Sequence, residues 1–232
     1  GAQVFATVPK MLRDILATVP GITECFSGLD VAPPCDYQST VMELPRWLGI
    51  NASNIPLTGG YLRPKPAPES MTQRLASLGS KKKVGIVWSG NPNHINDGRR
   101  SMSFDDLACL LDVPNIRLVN LQLGSRVEQL REHPRANEVS NWMTDGMSAS
   151  DTASLISCLD LVITVDTFVA HLSGALNVPT WLCVARNPDW RWLTKRSDSP
   201  WYESVRIFRQ DDKESWSTVG EAMVEALRAE PS

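Results

Sequence analysis

Two stretches of this 232-residue chain hold residues whose types and spacing could do chemistry. The first is Asp166, Thr167 and His171, set between an apolar run at 161–165 and a helical pattern over about 168–176 that Asn177 and Pro179 end. An Asp-Thr pair there reads as the helix cap, and His171 falls one turn after Thr167 on the same face. The open backbone N–H groups of a helix start, with the Thr167 hydroxyl beside them, suit a phosphate or pyrophosphate. The same strand, turn and helix also occur in α/β proteins that bind nothing at that place, and a lone histidine on a helix is commonly a structural hydrogen-bond partner. The second stretch is the polar loop SGNPNHINDGRRS at 89–101, with Ser89, Asn91, Arg99 and Arg100. It reads equally as a ligand loop or as a solvated connection.

A third stretch, RNPDWRWLTKRSDSPWYESVRIFRQ at 186–210, sets Trp190, Trp192, Trp201 and Tyr202 among arginines. Aromatic and guanidinium groups together can stack on a base or sugar and hold phosphate. They also form packing shells, and packing is the expected role for most of them here.

Elements must bring these stretches together. Strands are expected at 3–8, 22–26, 84–88, 116–122, 161–165, 180–184 and 205–208. Helices are expected at 9–18, 40–48, 68–78, 103–111, 126–133, 168–176 and 216–228, with one more opened by Ser150 or Asp151. Ser103 and Asp106 form a capping box, and Ser215 caps the closing helix. Strands apolar throughout, alternating with helices, mean a doubly wound parallel sheet. Ligands of such sheets lie beyond the carboxyl ends of the strands, where the loops after Trp88, Gln122 and Val165 converge. RPKPAP at 63–68 reads as a stiff linker dividing a partial amino-terminal α/β domain, 1–79, from a Rossmann-like domain, 80–232.

Hydrophobic residues are 42% and charged residues 21% of the chain, the balance of a soluble globular protein. A net charge of −3 opposes nucleic-acid binding, which needs a basic surface, so any anion site must be local. Five scattered cysteines without a C-x-x-C pair read as reduced residues of a cytoplasmic protein, with neither disulfides nor a metal site. No apolar run approaches a membrane span. The chain opens at Gly1, without Met, on what looks like a mid-domain strand, and is expected to be a fragment.

The blocks VGIVWSGNPNHINDGRRS, LQLGS, DTASLISCLDLVITVDTFVAHLSGALNVPTWLCV, PDWRWL and SPWYESVRIFRQ together resemble the glycosyltransferase-like region that follows tetratricopeptide repeats in bacterial proteins. That region is similar to the ADP-heptose:lipopolysaccharide heptosyltransferases. The resemblance runs from about Val84 to the carboxyl terminus, and more loosely over 3–79. It implies a GT-B architecture of two Rossmann-like domains, a nucleotide-diphosphate sugar as donor substrate, no cofactor and no metal. The acceptor would be a saccharide, a lipid-linked or a protein hydroxyl. By the same resemblance Asp166, Thr167 and His171 hold the donor phosphate, with Arg99 and Arg100 against the pyrophosphate and Gln122 near the nucleoside. His171 then hydrogen-bonds the phosphate, and the catalytic base lies upstream. Phe168 departs from the glycine usual after the Asp-Thr pair. A non-catalytic nucleotide-sugar or partner-binding module and a sugar-nucleotide epimerase are the alternative readings.

Overall fold

A computed structural model describes residues 1–28, 30–56, 59–211 and 215–229. Its amino-terminal region holds two short parallel strands, β1 (Phe5–Thr7) and β2 (Glu24–Phe26), with α1 (Arg13–Leu16) between them. The helix expected at 40–48 is one turn, α2 (Leu44–Trp47), consistent with Pro45 removing a backbone donor there. Then α3 (Glu69–Ser77) starts after Pro68 and stops before Gly79, whose φ of +74° is the left-handed value a helix end favours.

The main sheet follows: β3 (Lys82–Val87), β4 (Ile116–Asn120), β5 (Val139–Asn141), β6 (Leu161–Val165), β7 (Thr180–Val184) and β8 (Val205–Arg209). All are parallel, in the order β5-β4-β3-β6-β7-β8. The chain winds outward one way from β3 and returns to start the other half at β6. This makes the β3/β6 seam the topological switch point, where a crevice opens beyond the carboxyl ends. β5 escapes the sequence reading because it is three residues long and its middle and last residues are polar.

Between the strands run α4 (Asp97–Arg100), α5 (Phe104–Leu107), α6 (Glu128–Glu132), α7 (Ala149–Ile156), α8 (Phe168–Ala175) and α9 (Trp216–Ala229). Alternation along the strands separates two apolar layers. Val84, Ile86, Leu161 and Ile163 face Phe104, Leu107, Met223 and Leu227, whereas Val87, Val119 and Val162 face Ala153, Ile156 and Leu172. Gly85 belongs where it is because a Cβ would lie 2.6 Å from side-chain carbons of both Leu121 and Leu159. The Ser103/Asp106 capping box is present. The α7 cap is Ser148, boxed with Asp151, not Ser150 or Asp151 as the helix opener. Ser215 Oγ accepts the Ser217 N–H at 3.2 Å at the head of α9.

The expected linker is pinned in place. Ser154 Oγ on α7 donates to the Lys65 carbonyl at 2.8 Å, and Ile15, Leu62 and Leu75 join the same apolar layer as Val162 and Leu172. The amino-terminal region therefore packs directly on the sheet's helical layer. Among the described residues, no helix is long and apolar enough to cross a membrane.

Candidate functional site

β3 runs into Trp88, fully buried, and the loop that follows returns at Met102, whose N–H donates to the Trp88 carbonyl at 2.7 Å. Inside this loop Ser101 Oγ accepts the Gly90 N–H at 3.0 Å and donates to Asp97 Oδ1 at 2.9 Å. Asp97 is buried and also draws Arg100 Nε to 3.4 Å. Arg100 lies flat on Gly90, where a Cβ would come within 2.4 Å of the guanidinium, and its Nη1 donates to the Asp166 carbonyl at 3.0 Å. The loop after β3 is thus tied to the turn after β6. Arg99, next on α4, stays exposed and lines the cavity these loops enclose.

At the end of β6 the backbone turns through Asp166 and Thr167 into α8. The Thr167 hydroxyl does not cap this helix: it pairs with the Thr164 hydroxyl at 3.1 Å, one turn back at the strand end. Among the described residues no side chain caps α8, which leaves the positive end of the helix dipole at the cavity that Thr167 and Phe168 line. From the end of β7 come Ala185, Asn187 and Asp189, and Asp189 Oδ1 accepts both the Arg191 N–H at 3.1 Å and Arg191 Nη1 at 2.8 Å.

The cavity measures about 320 Å³, within the range of small-ligand sites. It brings together Asp166, Thr167, His171, Arg99 and Arg100 with Arg191. Three guanidinium groups and a helix start meet the Asp166 and Asp189 carboxylates there; Arg100 is paired with buried Asp97 and Arg191 with Asp189, which leaves Arg99 as the guanidinium without a carboxylate partner among the described residues. His171 is stacked on Trp192 with ring centroids 5.2 Å apart, and its Nδ1 lies 3.1 Å from the Tyr202 hydroxyl. Burial holds its pKa below the ordinary histidine value, with Arg191 pushing the same way and Asp166 and Asp189 opposing.

Three expected residues stand apart. Gln122 is 4% exposed and spent on the fold: its Oε1 accepts the N–H groups of Trp88 at 3.2 Å and Ser89 at 2.9 Å, and its Nε2 donates to the Leu123 carbonyl at 2.9 Å. Ser89 is buried under the loop, its hydroxyl turned to Ser101 at 3.3 Å. Asn91 forms a local turn, accepting the Asn93 N–H at 3.0 Å. None of the three lines the cavity. The sequence reading missed His94, Asn96, Asn187 and Asp189, and placed Arg191 only within the aromatic stretch. That stretch is mostly packing: Trp192 is fully buried, and Trp201 Nε1 donates to the Arg191 carbonyl at 2.9 Å. Trp190 alone stands well out, 59% exposed, with the Arg191 guanidinium 4.7 Å from its ring centre.

The same fold is found in solved glycosyltransferases. Escherichia coli ADP-heptose lipopolysaccharide heptosyltransferase II superposes with a TM-score of 0.59 at 13% identity, over 98% of this chain and 89% of that one. The chain has a GT-B-like fold. A glycosyltransferase family 9 protein of Veillonella parvula shares the GT-B-like arrangement with a TM-score of 0.58 at 10% identity, over 95% of this chain and 80% of that one. In sequence, the chain is 27% identical over 198 residues to Protein FlbA of Caulobacter vibrioides, across 83% of this chain. It spans 33% of that relative's length. No protein-family model matches.

Proposed function

We propose that this chain is the donor-binding part of a metal-independent glycosyltransferase that takes a nucleotide-diphosphate sugar. One observation carries the reading: on a GT-B-like frame, Arg99, Arg191 and the uncapped start of α8 border one cavity at the β3/β6 switch point. The chemistry asks for such a place. When the bond from the sugar to the diphosphate breaks, negative charge grows on the leaving oxygen, and fixed cations and backbone dipoles stabilise it without reorganising. The acceptor oxygen forms the new bond to the sugar carbon and gives its proton to a base supplied from outside this donor part. Asp166 and Asp189, as carboxylates, suit sugar hydroxyls better than phosphate oxygens.

In the same reading the protein works in the cytoplasm, its five cysteines free. Tetratricopeptide repeats precede this region, in keeping with a relative of which the matched residues make up 33%. The acceptor is a saccharide, lipid-linked or protein hydroxyl.

Calorimetry with ADP-, UDP- and GDP-sugars tests the proposal, with a donor-hydrolysis assay alongside. One nucleotide class is expected to bind, and the double variant Arg99→Ala/Arg191→Ala to lose it. No binding by any of the panel, or binding indifferent to that double change, overturns it. Binding without transfer or hydrolysis in the longer protein marks a non-catalytic module, and a base-inverted free sugar marks an epimerase.

A further inference from the structure

One turn of 3-10 helix after β7, Trp190–Trp192, sends three consecutive side chains to three different places. Trp192 goes inward, fully buried, and stacks on His171 with ring centroids 5.2 Å apart. Arg191 lines the cavity, and its charge is felt at His171, where it helps hold the imidazole pKa down. Trp190 goes outward, 59% exposed, and does not line the cavity. Yet it is not loose. Its ring stands edge-on to Trp201 at 5.9 Å between centroids, and the Arg191 guanidinium lies 4.7 Å from its ring centre. The backbone of the turn is held at both polar groups of Arg191, whose N–H donates to Asp189 Oδ1 at 3.1 Å and whose carbonyl accepts from Trp201 Nε1 at 2.9 Å. Trp201 therefore steadies both the turn and the ring that the guanidinium rests on.

We propose that Trp190 is a positioning residue for the cavity: its outward ring, braced by Trp201, holds the Arg191 guanidinium in place before an anion arrives. The electron-rich indole face attracts the cation and gives it a wall to rest on. Asp189 shares the task, since its Oδ1 also accepts from Arg191 Nη1 at 2.8 Å. A guanidinium carries five N–H groups in a planar fork, so a bond at Nη1 leaves donors for a ligand oxygen. An unheld arginine loses rotamer freedom when it closes on an anion, and one already held gives up less of it. That the anion is a diphosphate rests on the donor reading above. The brace itself does not.

The test is the arginine Nε–H spectrum of the 15N-labelled chain, with the Arg191 signal identified by its loss in Arg191→Lys. In the parent, that proton is expected upfield of the ordinary arginine position, moved by the indole ring current, and its heteronuclear NOE well above that of exposed Arg74. Trp190→Leu, which leaves Asp189 in place, should return the proton to the ordinary position and lower the NOE. Trp190→Phe should keep part of both. Calorimetry with ADP, UDP and GDP should show the nucleotide that binds the parent weakened about threefold to fivefold in Trp190→Leu, and restored to within about twofold in Trp190→Phe. In an Arg191→Ala background Trp190→Leu should cost nothing further, because its effect passes through the guanidinium. An Arg191 signal at the ordinary position in the parent, or one that Trp190→Leu does not move, overturns the proposal. So does an affinity that Trp190→Leu leaves unchanged, or lowers equally when Arg191 is absent. If no nucleotide binds the parent, the donor reading falls while the spectra still decide the brace.

Discussion

Arg100 donates from Nη1 to the backbone carbonyl of Asp166 at 3.0 Å, across 66 residues of chain. The bond joins the loop leaving β3 to the turn leaving β6, the two ends that border the switch-point crevice. Arg100 is itself gripped by buried Asp97 and seated on Gly90, so its geometry is set before any ligand arrives. Its neighbour Arg99 has no such duties. Two adjacent arginines thus divide the labour: one builds the wall of the cavity and the other presents charge to it.

That division predicts different phenotypes. Arg99→Ala should weaken nucleotide-diphosphate binding about tenfold, the scale of one charged contact at a part-exposed site, with an unchanged melting temperature. Arg100→Ala should weaken binding and also lower stability by about 1.5–3 kcal/mol, the cost of a lost charge-assisted hydrogen bond. Calorimetry and urea denaturation on both variants check this. Equal stability of the two would show that the Asp166 tie is idle.

Gln122→Leu separates a strut from a ligand contact. The change leaves the Trp88 and Ser89 N–H groups without their acceptor in a buried place, at about 1–3 kcal/mol each. The expected result is a stability loss of about 2–4 kcal/mol with nucleotide affinity of the folded protein retained. A tenfold affinity loss at full stability would instead put Gln122 in contact with ligand.

What the sequence made legible was what is local. Leu161–Val165 and Thr180–Val184 are apolar at nearly every position because both faces of a central parallel strand are covered, and their bounds were readable to the residue. The Ser103/Asp106 box was readable for the same reason. The Ser148/Asp151 box carries the same S-x-x-D signature and was legible too, but the nearby Ser150 and Asp151 drew the helix start inward. Non-local facts were hidden. Gln122 becomes a strut only because β3 lies beside β4, and Asp189 and Arg191 reach the cavity only because β7 lies beside β6. Thr167 looked like a cap because its competitor, Thr164, sits at the strand end and not in the helix.

Gly174→Ala sets two known effects against each other. Alanine is better than glycine in a helix interior by about 1 kcal/mol. Here, however, the new Cβ meets a Tyr202 ring hemmed in by His171 and the apolar layer, and overpacking of that kind costs about 1–3 kcal/mol. The clash should win, so denaturant titration is expected to show a net loss. A gain in stability would mean that Tyr202 moves aside freely.

The buried state of His171 gives the fold an acid sensitivity of definite sign. Its folded pKa is depressed, first by burial, so the unfolded chain binds the proton more readily than the native protein does. Above the unfolded value of about 6.5 neither state is protonated and the residue adds no slope. As pH falls below that value the unfolded state gains the proton first, and stability declines until the folded pKa is passed, where it levels. His171→Gln should remove this part of the slope, so the parent-minus-variant stability difference should be flat from pH 8 to 7 and shrink towards pH 5. Thermal melts of both proteins across that range measure it. A difference that grows on acidification would mean that His171 is protonated more easily in the fold than out of it, and would reverse the assignment of burial as the dominant influence on its ring.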